Sequence, residues 1–260
     1  MNRTNINIHS GIADLNQALI SRWSSIAQQA IAERGSFHVA LAGGSTPRLL
    51  YQSLASGELA SSLPWSQTHI YFGDERCVPP DHEDSNFRMA SHAMLSHVPL
   101  PEQNIHRMHG DNPDHDLAAR AYQKILEQYL PHDNDGYHFD LILLGLGPDG
   151  HIASLFPDTE ILDIYDRLTA AVYVKKFDSW RISITYPVLR QARHVLLAAA
   201  GSNKTDIINH VLNQNNINHQ YPVQQICDLI EWHLDSDAAS LLQDKPQINS
   251  NEHYDQNSGC

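Results

Sequence analysis

The chain reads as an α/β protein, a mostly parallel sheet covered by helices on both faces. Three observations carry this. Strand-like segments alternate with helix-like ones along most of the length. Several strands, FDLILLG and HVLLAAAG among them, are apolar without interruption, as strands buried on both faces are. No linker or internal repeat divides the chain, and 260 residues suffice for one large core.

Taken in order, residues 12–34 carry Ile12, Leu15, Leu19, Trp23, Ile26 and Ala30 at helical spacing and predict a long first helix. FHVALAG (37–43) is a strand running into a glycine turn, and PRLLYQSLA (47–55) is a helix. HIYFGDE (69–75) is a strand, SNFRMASHAML (85–95) a helix, residues 114–130 another. FDLILLG (139–145) is a strand apolar on both faces. AAVYV (170–174), RISIT (181–185) and HVLLAAAG (194–201) are further strands, and NKTDIINHVL (203–212) is a helix. We read residues 1–242 as one domain. From Gln243 the chain turns polar, so 243–260 reads as a disordered tail.

Composition narrows the function. The chain is 42% hydrophobic and 18% charged, a soluble globular profile, with no apolar run approaching the ~20 residues of a membrane span. Its N-terminal stretch lacks the basic start and apolar core of a secretory signal. Three scattered cysteines (Cys77, Cys227, Cys260) make no disulfide framework and point to the reducing cytoplasm. A net charge of −13 argues against nucleic-acid binding and leaves room for an anionic substrate only where cations gather. The 17 histidines raise zinc, and His106, His109 and His115 stand closest together. Their segment is rich in turn formers and has no H-E-x-x-H context, so surface histidines and a metal-free site are expected.

Gly145, Gly147 and Gly150 in LILLGLGPDGHIASLFP fit G-x-G-x-x-G, the dinucleotide fingerprint. That motif needs a helix directly after it, to aim free N–H groups at a pyrophosphate. Pro157 cuts any helix begun at His151 to one or two turns, and no ribose-binding acid ends a following strand. The loop instead delivers Asp149 and His151, two titratable groups beside glycine, and no nucleotide cofactor is expected.

In an open α/β sheet the ligand lies beyond the carboxyl ends of the strands. Four segments bring polar residues there. In LAGGSTPRLLY, Gly43 and Gly44 allow close backbone approach, Ser45 or Thr46 can cap the helix, and its start favours an anion. YFGDERCVPP supplies Asp74, Glu75 and Arg76, with Cys77 as a bystander. The glycine loop presents His151 as a general base. Arg181, opening RISIT, and Lys204, opening the helix after AAAGSN, suit a phosphate clamp.

LAGGSTPRLLY, GDERCVPPDHEDSNFRM, LGLGPDGHIASLFP and AAAGSNK together resemble the 6-phosphogluconolactonase family, over about residues 37–206. The family is related to glucosamine-6-phosphate deaminases within one isomerase superfamily. The resemblance implies a three-layer α/β/α sandwich with a Rossmann-like sheet. It also implies hydrolysis of 6-phospho-D-glucono-1,5-lactone in the pentose phosphate pathway, without metal or nucleotide. By the family pattern Gly44, Ser45, Arg181 and Lys204 hold the phosphate, Arg76 adds a cation and His151 activates water. Thr46, in the same helix start, is included with the phosphate group. Asp149 or Asp74 orients the imidazole. The deaminases follow their histidine with a segment ending Asn-Glu-Pro, whereas Ser154-Leu155-Phe156-Pro157 stands here without that carboxylate. A non-enzymatic sugar-phosphate sensor would carry a DNA-binding segment and would not need His151.

Overall fold

The computed structural model describes residues 5–212 and 221–242. In chain order the elements are β1 (Asn5–His9), α1 (Ile12–Arg34), β2 (Phe37–Leu41), α2 (Ser45–Leu54), α3 (Leu59–Ser62), β3 (Thr68–Phe72), β4 (Asp74–Arg76), α4 (Asn86–Ala90), α5 (His115–Tyr129), β5 (His132–Asp133), β6 (Gly136–Tyr137), β7 (Leu141–Leu144), β8 (Thr169–Val174), β9 (Ser179–Ile184), α6 (Tyr186–Gln191), β10 (Val195–Ala199), α7 (Thr205–Leu212) and β11 (Ile230–Asp235). Six strands form a parallel sheet in the order β1-β11-β10-β7-β2-β3. Two buried clusters, one per face, complete the three layers. One joins α1, α2 and α4 to the sheet, and the other gathers α5, α6, α7 and the underside of β8 and β9. No helix among the described residues is long and apolar enough to cross a membrane.

The first helix follows its periodicity. Leu15, Leu19, Trp23, Ile26 and Ala30 are buried and Gly35 ends it in the left-handed region, its N–H bonded to Ile31 O. Ile12, on the same predicted stripe, is instead 41% exposed at the helix start.

Several expectations need correcting. AAVYV and RISIT do not join the main sheet. As β8 and β9 they pair antiparallel with each other and with β4, making a separate three-stranded sheet. The predicted strand 69–75 breaks at Gly73, whose N–H still bonds Leu41 O while its carbonyl accepts from Ile184 N. β3 therefore stays in the main sheet and Asp74–Arg76 crosses into the small one. Arg181 is thus the third residue of β9, not its opening, and Lys204 closes a 3-10 turn (Ser202–Lys204) just before α7. The helix 85–95 ends its regular part at Ala90 and continues as a π turn. Strands β1, β5, β6 and β11 and helices α3 and α6 have no counterpart among the expected elements. The polar tail lies outside the described residues.

After β2 the chain leaves toward β3, and after β7 it leaves toward β10, so adjacent β2 and β7 diverge in opposite directions. Such a switch point opens a crevice beyond the strand ends, here between the glycine turns at 43–44 and 145–147. At the opposite end of the sheet the second residues of β2 and β3, His38 and His69, stand in register with rings stacked at 4.6 Å. His106 stacks on Tyr71 at 4.4 Å, with its Nε2 3.2 Å from His69 Nδ1. His109 and His115 lie elsewhere, near Asp111 and Trp180 respectively. The three histidines of the zinc reading therefore do not converge.

Candidate active site

The crevice is a cleft of about 280 Å³, and every predicted site residue except Asp149 lines it. Its floor is the pair of glycine turns. The Tyr51 hydroxyl pins the end of β2 by bonding both Ala42 N (3.0 Å) and Ala42 O (2.9 Å). Gly44, at φ 107°, then serves as the helix N-cap in a conformation other residues rarely adopt. Neither Ser45 nor Thr46 caps α2 with its side chain, contrary to expectation; both sit inside the first turn. The first-turn N–H groups therefore keep no side-chain cap, and Gly44, Ser45 and Thr46 line the cleft.

The second turn explains the G-x-G-x-x-G spacing without a nucleotide. Gly150, at φ 73°, closes a tight loop in which its N–H bonds Gly147 O (3.0 Å) and Gly147 N bonds His151 O (2.9 Å). A Cβ on Gly147 would overlap the ring of His151. No helix follows; Ile152 and Leu155 form a lone bridge, and Ala153 sits in the left-handed region at φ 47°. Such a residue costs on the order of 1 kcal/mol or more, and it lines the cleft.

Of the two acids left open by sequence, Asp149 is the one hydrogen-bonded to the ring, through its Oδ1 and His151 Nδ1. Lys176 Nζ holds the other oxygen of Asp149 at 3.0 Å. Burial pushes the Asp149 carboxyl up, but the His151 bond and charge and the Lys176 ammonium outweigh it and hold it at about 2. An anionic Asp149 can only accept, so Nδ1 carries the hydrogen and Nε2 is left with its lone pair. Burial lowers the His151 pKa below 6.5, opposed by Asp149 and Asp74 and reinforced by Arg181. Phe156 supports the ring from below, stacked at 3.9 Å.

Asp74 stands apart from the imidazole's hydrogen bonds. Its Oδ2 accepts from Ser154 Oγ (2.6 Å) and its Oδ1 from Asn86 Nδ2 (3.1 Å). Asn86 packs so tightly on Gly43 that a Cβ there would overlap its amide. Glu75 faces away and organises the loop that follows, accepting from Asn86 N (2.7 Å), Phe87 N (2.8 Å) and Ser85 Oγ (3.0 Å). Burial pushes Cys77 up to about 12, so its thiol stays protonated.

The expected cations, Arg76, Arg181 and Lys204, all line the cleft. Arg76 and Arg181 lie directly opposite each other on β4 and β9. Like charges facing across strands repel. The Nε of each is buried and meets no hydrogen-bond partner among the described residues. Burial and Arg76 both lower the Arg181 pKa. Lys204 also lines the cleft, its Nζ bonded to Leu146 O at 2.7 Å. Two guanidiniums and an ammonium in one cleft form the local cation cluster that a chain of net charge −13 needs to attract an anion. Asn86, Ser154, Phe156 and Lys176 were missed by sequence reasoning. Only Ser154 and Phe156 carried a local signal, their closeness to His151.

A family model described as glucosamine-6-phosphate isomerases/6-phosphogluconolactonase matches residues 11–232. The chain is 41% identical over 218 residues to a 6-phosphogluconolactonase of Synechocystis sp., covering 82% of this chain and 88% of the relative. It is 35% identical to one of Haemophilus influenzae, covering 79% and 87%. The structure resembles that of the 6-phosphogluconolactonase from Trypanosoma brucei with a TM-score of 0.80 at 26% identity, covering 92% of this chain and 99% of that one.

Proposed function

The chain belongs to the glucosamine-6-phosphate isomerase/6-phosphogluconolactonase family, and on that premise we propose that it opens 6-phospho-D-glucono-1,5-lactone to 6-phospho-D-gluconate. The observation that carries this reading is one cleft lined both by an acid-bonded histidine and by a pair of arginines facing each other across strands. A hydrolase of a phosphorylated lactone needs both.

The chemistry follows from the geometry. Water loses a proton to His151 Nε2 as its oxygen bonds to the lactone carbonyl carbon, and the carbonyl π electrons move onto oxygen. The imidazolium so formed is steadied by Asp149. Collapse of the tetrahedral anion breaks the bond to the ring oxygen, which takes the proton back from His151. Arg76, Arg181 and Lys204, with the first-turn amides of α2 at Gly44 to Thr46, hold the remote phosphate and place the ring carbon against the base. Asp74, held by Asn86 and Ser154, contributes its field rather than a proton. No metal enters these steps. The unpaired, half-buried thiols Cys77 and Cys227 suit the reducing cytoplasm as its compartment.

The test is a coupled assay on freshly generated lactone, following acid release against the spontaneous rate, with and without EDTA dialysis. A large acceleration that survives dialysis is expected. No acceleration would refute the reading, and activity restored only by added metal would refute its metal-free form.

The pH profile follows from the sign of the His151 shift. The base works only as neutral imidazole, and its pKa is lowered from 6.5. Activity is therefore full above that pKa and falls as pH drops through it. The acid limb of kcat/KM should have its midpoint below 6.5, and a midpoint well above it would contradict the buried environment.

A further inference from the structure

The turn joining β8 to β9 carries Lys176 and Phe177, which the proposed chemistry does not use. Lys176 Nζ binds the oxygen of Asp149 that His151 leaves free, 3.0 Å away. It also lies 5.5 Å from the centre of the Phe177 ring. Phe177 meets Phe156 edge-on at 5.8 Å, and Phe156 stacks beneath His151. One turn therefore reaches the imidazole by two routes, ionic and aromatic. Isolated surface ion pairs do little, but this one ends on the acid that holds the base.

We propose that Lys176 is a positioning residue for lactone opening. It holds Asp149 in the orientation that presents Oδ1 to His151 Nδ1, and it offsets part of that carboxylate's field on the ring. The inference rests on His151 being the base. The charged groups facing His151 are Asp149 and Asp74, which favour its protonation, and Arg181, which opposes it. Lys204 faces Asp149 from the turn before α7. Removing Lys176 leaves Asp149 with a stronger unscreened field on the imidazole, so the base becomes protonated at a higher pH. It also frees the carboxylate to rotate.

The experiment compares the full chain with Lys176→Met and Lys176→Arg across pH, on phosphorylated and unphosphorylated gluconolactone. Lys176 is half exposed on a turn, so folding should survive, and melting curves check it. In Lys176→Met the acid limb should move up by roughly half a pH unit at low ionic strength and less in added salt. Plateau kcat should fall on the order of tenfold, KM should hold, and both lactones should suffer alike. Lys176→Arg should restore limb and rate. An unmoved limb with unchanged kcat would overturn the proposal, as would a KM rise confined to the phosphorylated lactone, which would make Lys176 a phosphate contact. His151→Ala runs alongside. If it keeps full turnover, base and proposal fall together; if it is inactive while Lys176→Met matches wild type, only the proposal falls.

Discussion

Replacing His151 by alanine lowers kcat by about 10²–10⁴-fold, the usual worth of a positioned base, while KM for the phosphorylated lactone changes little. The separation follows from the layout of the cleft. His151 is bonded by Asp149 and stacked on Phe156, and among the described residues none of the proposed phosphate-binding side chains is hydrogen-bonded to it. Removing the ring therefore deletes the proton acceptor and leaves the anion site standing. Asp149→Asn sharpens the test. An amide can donate to Nδ1, which moves the ring hydrogen to Nε2 and leaves no lone pair facing the cleft. That variant should lose most of the same rate with the ring still in place. Steady-state kinetics on both variants, corrected for spontaneous opening, decide it: wild-type turnover in His151→Ala removes the base from this residue.

Arg181→Ala lowers kcat/KM for the phosphorylated lactone by about ten- to a hundredfold, since charge-assisted hydrogen bonds are each worth roughly 1.5–3 kcal/mol. The double variant with Lys204→Ala loses most of the preference for phosphorylated over unphosphorylated lactone. Structure adds a refinement. Arg181 faces Arg76 across the strand pair, so its removal relieves repulsion and leaves Arg76 better able to bind alone. Lys204 lines the same cleft from a different segment, its Nζ donating to the Leu146 carbonyl. The single losses should therefore not add if, as proposed, all three cations grip one group. A double variant that discriminates as well as wild type would move the phosphate to the amides of the 43–46 turn and Arg76.

The site was legible where its signals are local. A buried apolar run ending in glycine marks a strand end and a close approach, and this located both turns and with them Gly44, Ser45, Thr46 and His151. Relations between distant segments were not legible. Ser154 reaches Asp74 across 80 residues of chain, and Lys176 reaches Asp149 across 27. No local pattern announces either. The same limit explains the sheet. β8 and β9 have ordinary strand composition, and their departure from the main sheet is decided by pairing with β4 rather than by their own residues. β1 and β11 are polar-apolar alternations at an edge (NINIH) and beside it (IEWHLD), joined from opposite ends of the chain. Whether Asp149 or Asp74 holds the imidazole depends on which way two side chains turn.

The stacked histidines at the far end of the sheet give acid a second place to act. Burial, with a smaller contribution from neighbouring histidines, lowers His38 to about 3 and His106 to about 4, so this layer is built to be uncharged. The unfolded chain, with ordinary histidines near 6.5, takes up protons first as pH falls. Stability is thus complete above that value and drains away between 6.5 and roughly 4 to 3. Below 6.5 the imidazole at the cleft also becomes protonated, a reversible loss of a proton acceptor in an intact molecule. Deeper in the window the opposite rim gives way, as charge is forced into a stack with no counterion among its rings. A brief mild acidification and a long deep one are therefore different injuries: the first should reverse at once on neutralisation, and the second only as fast as the protein refolds.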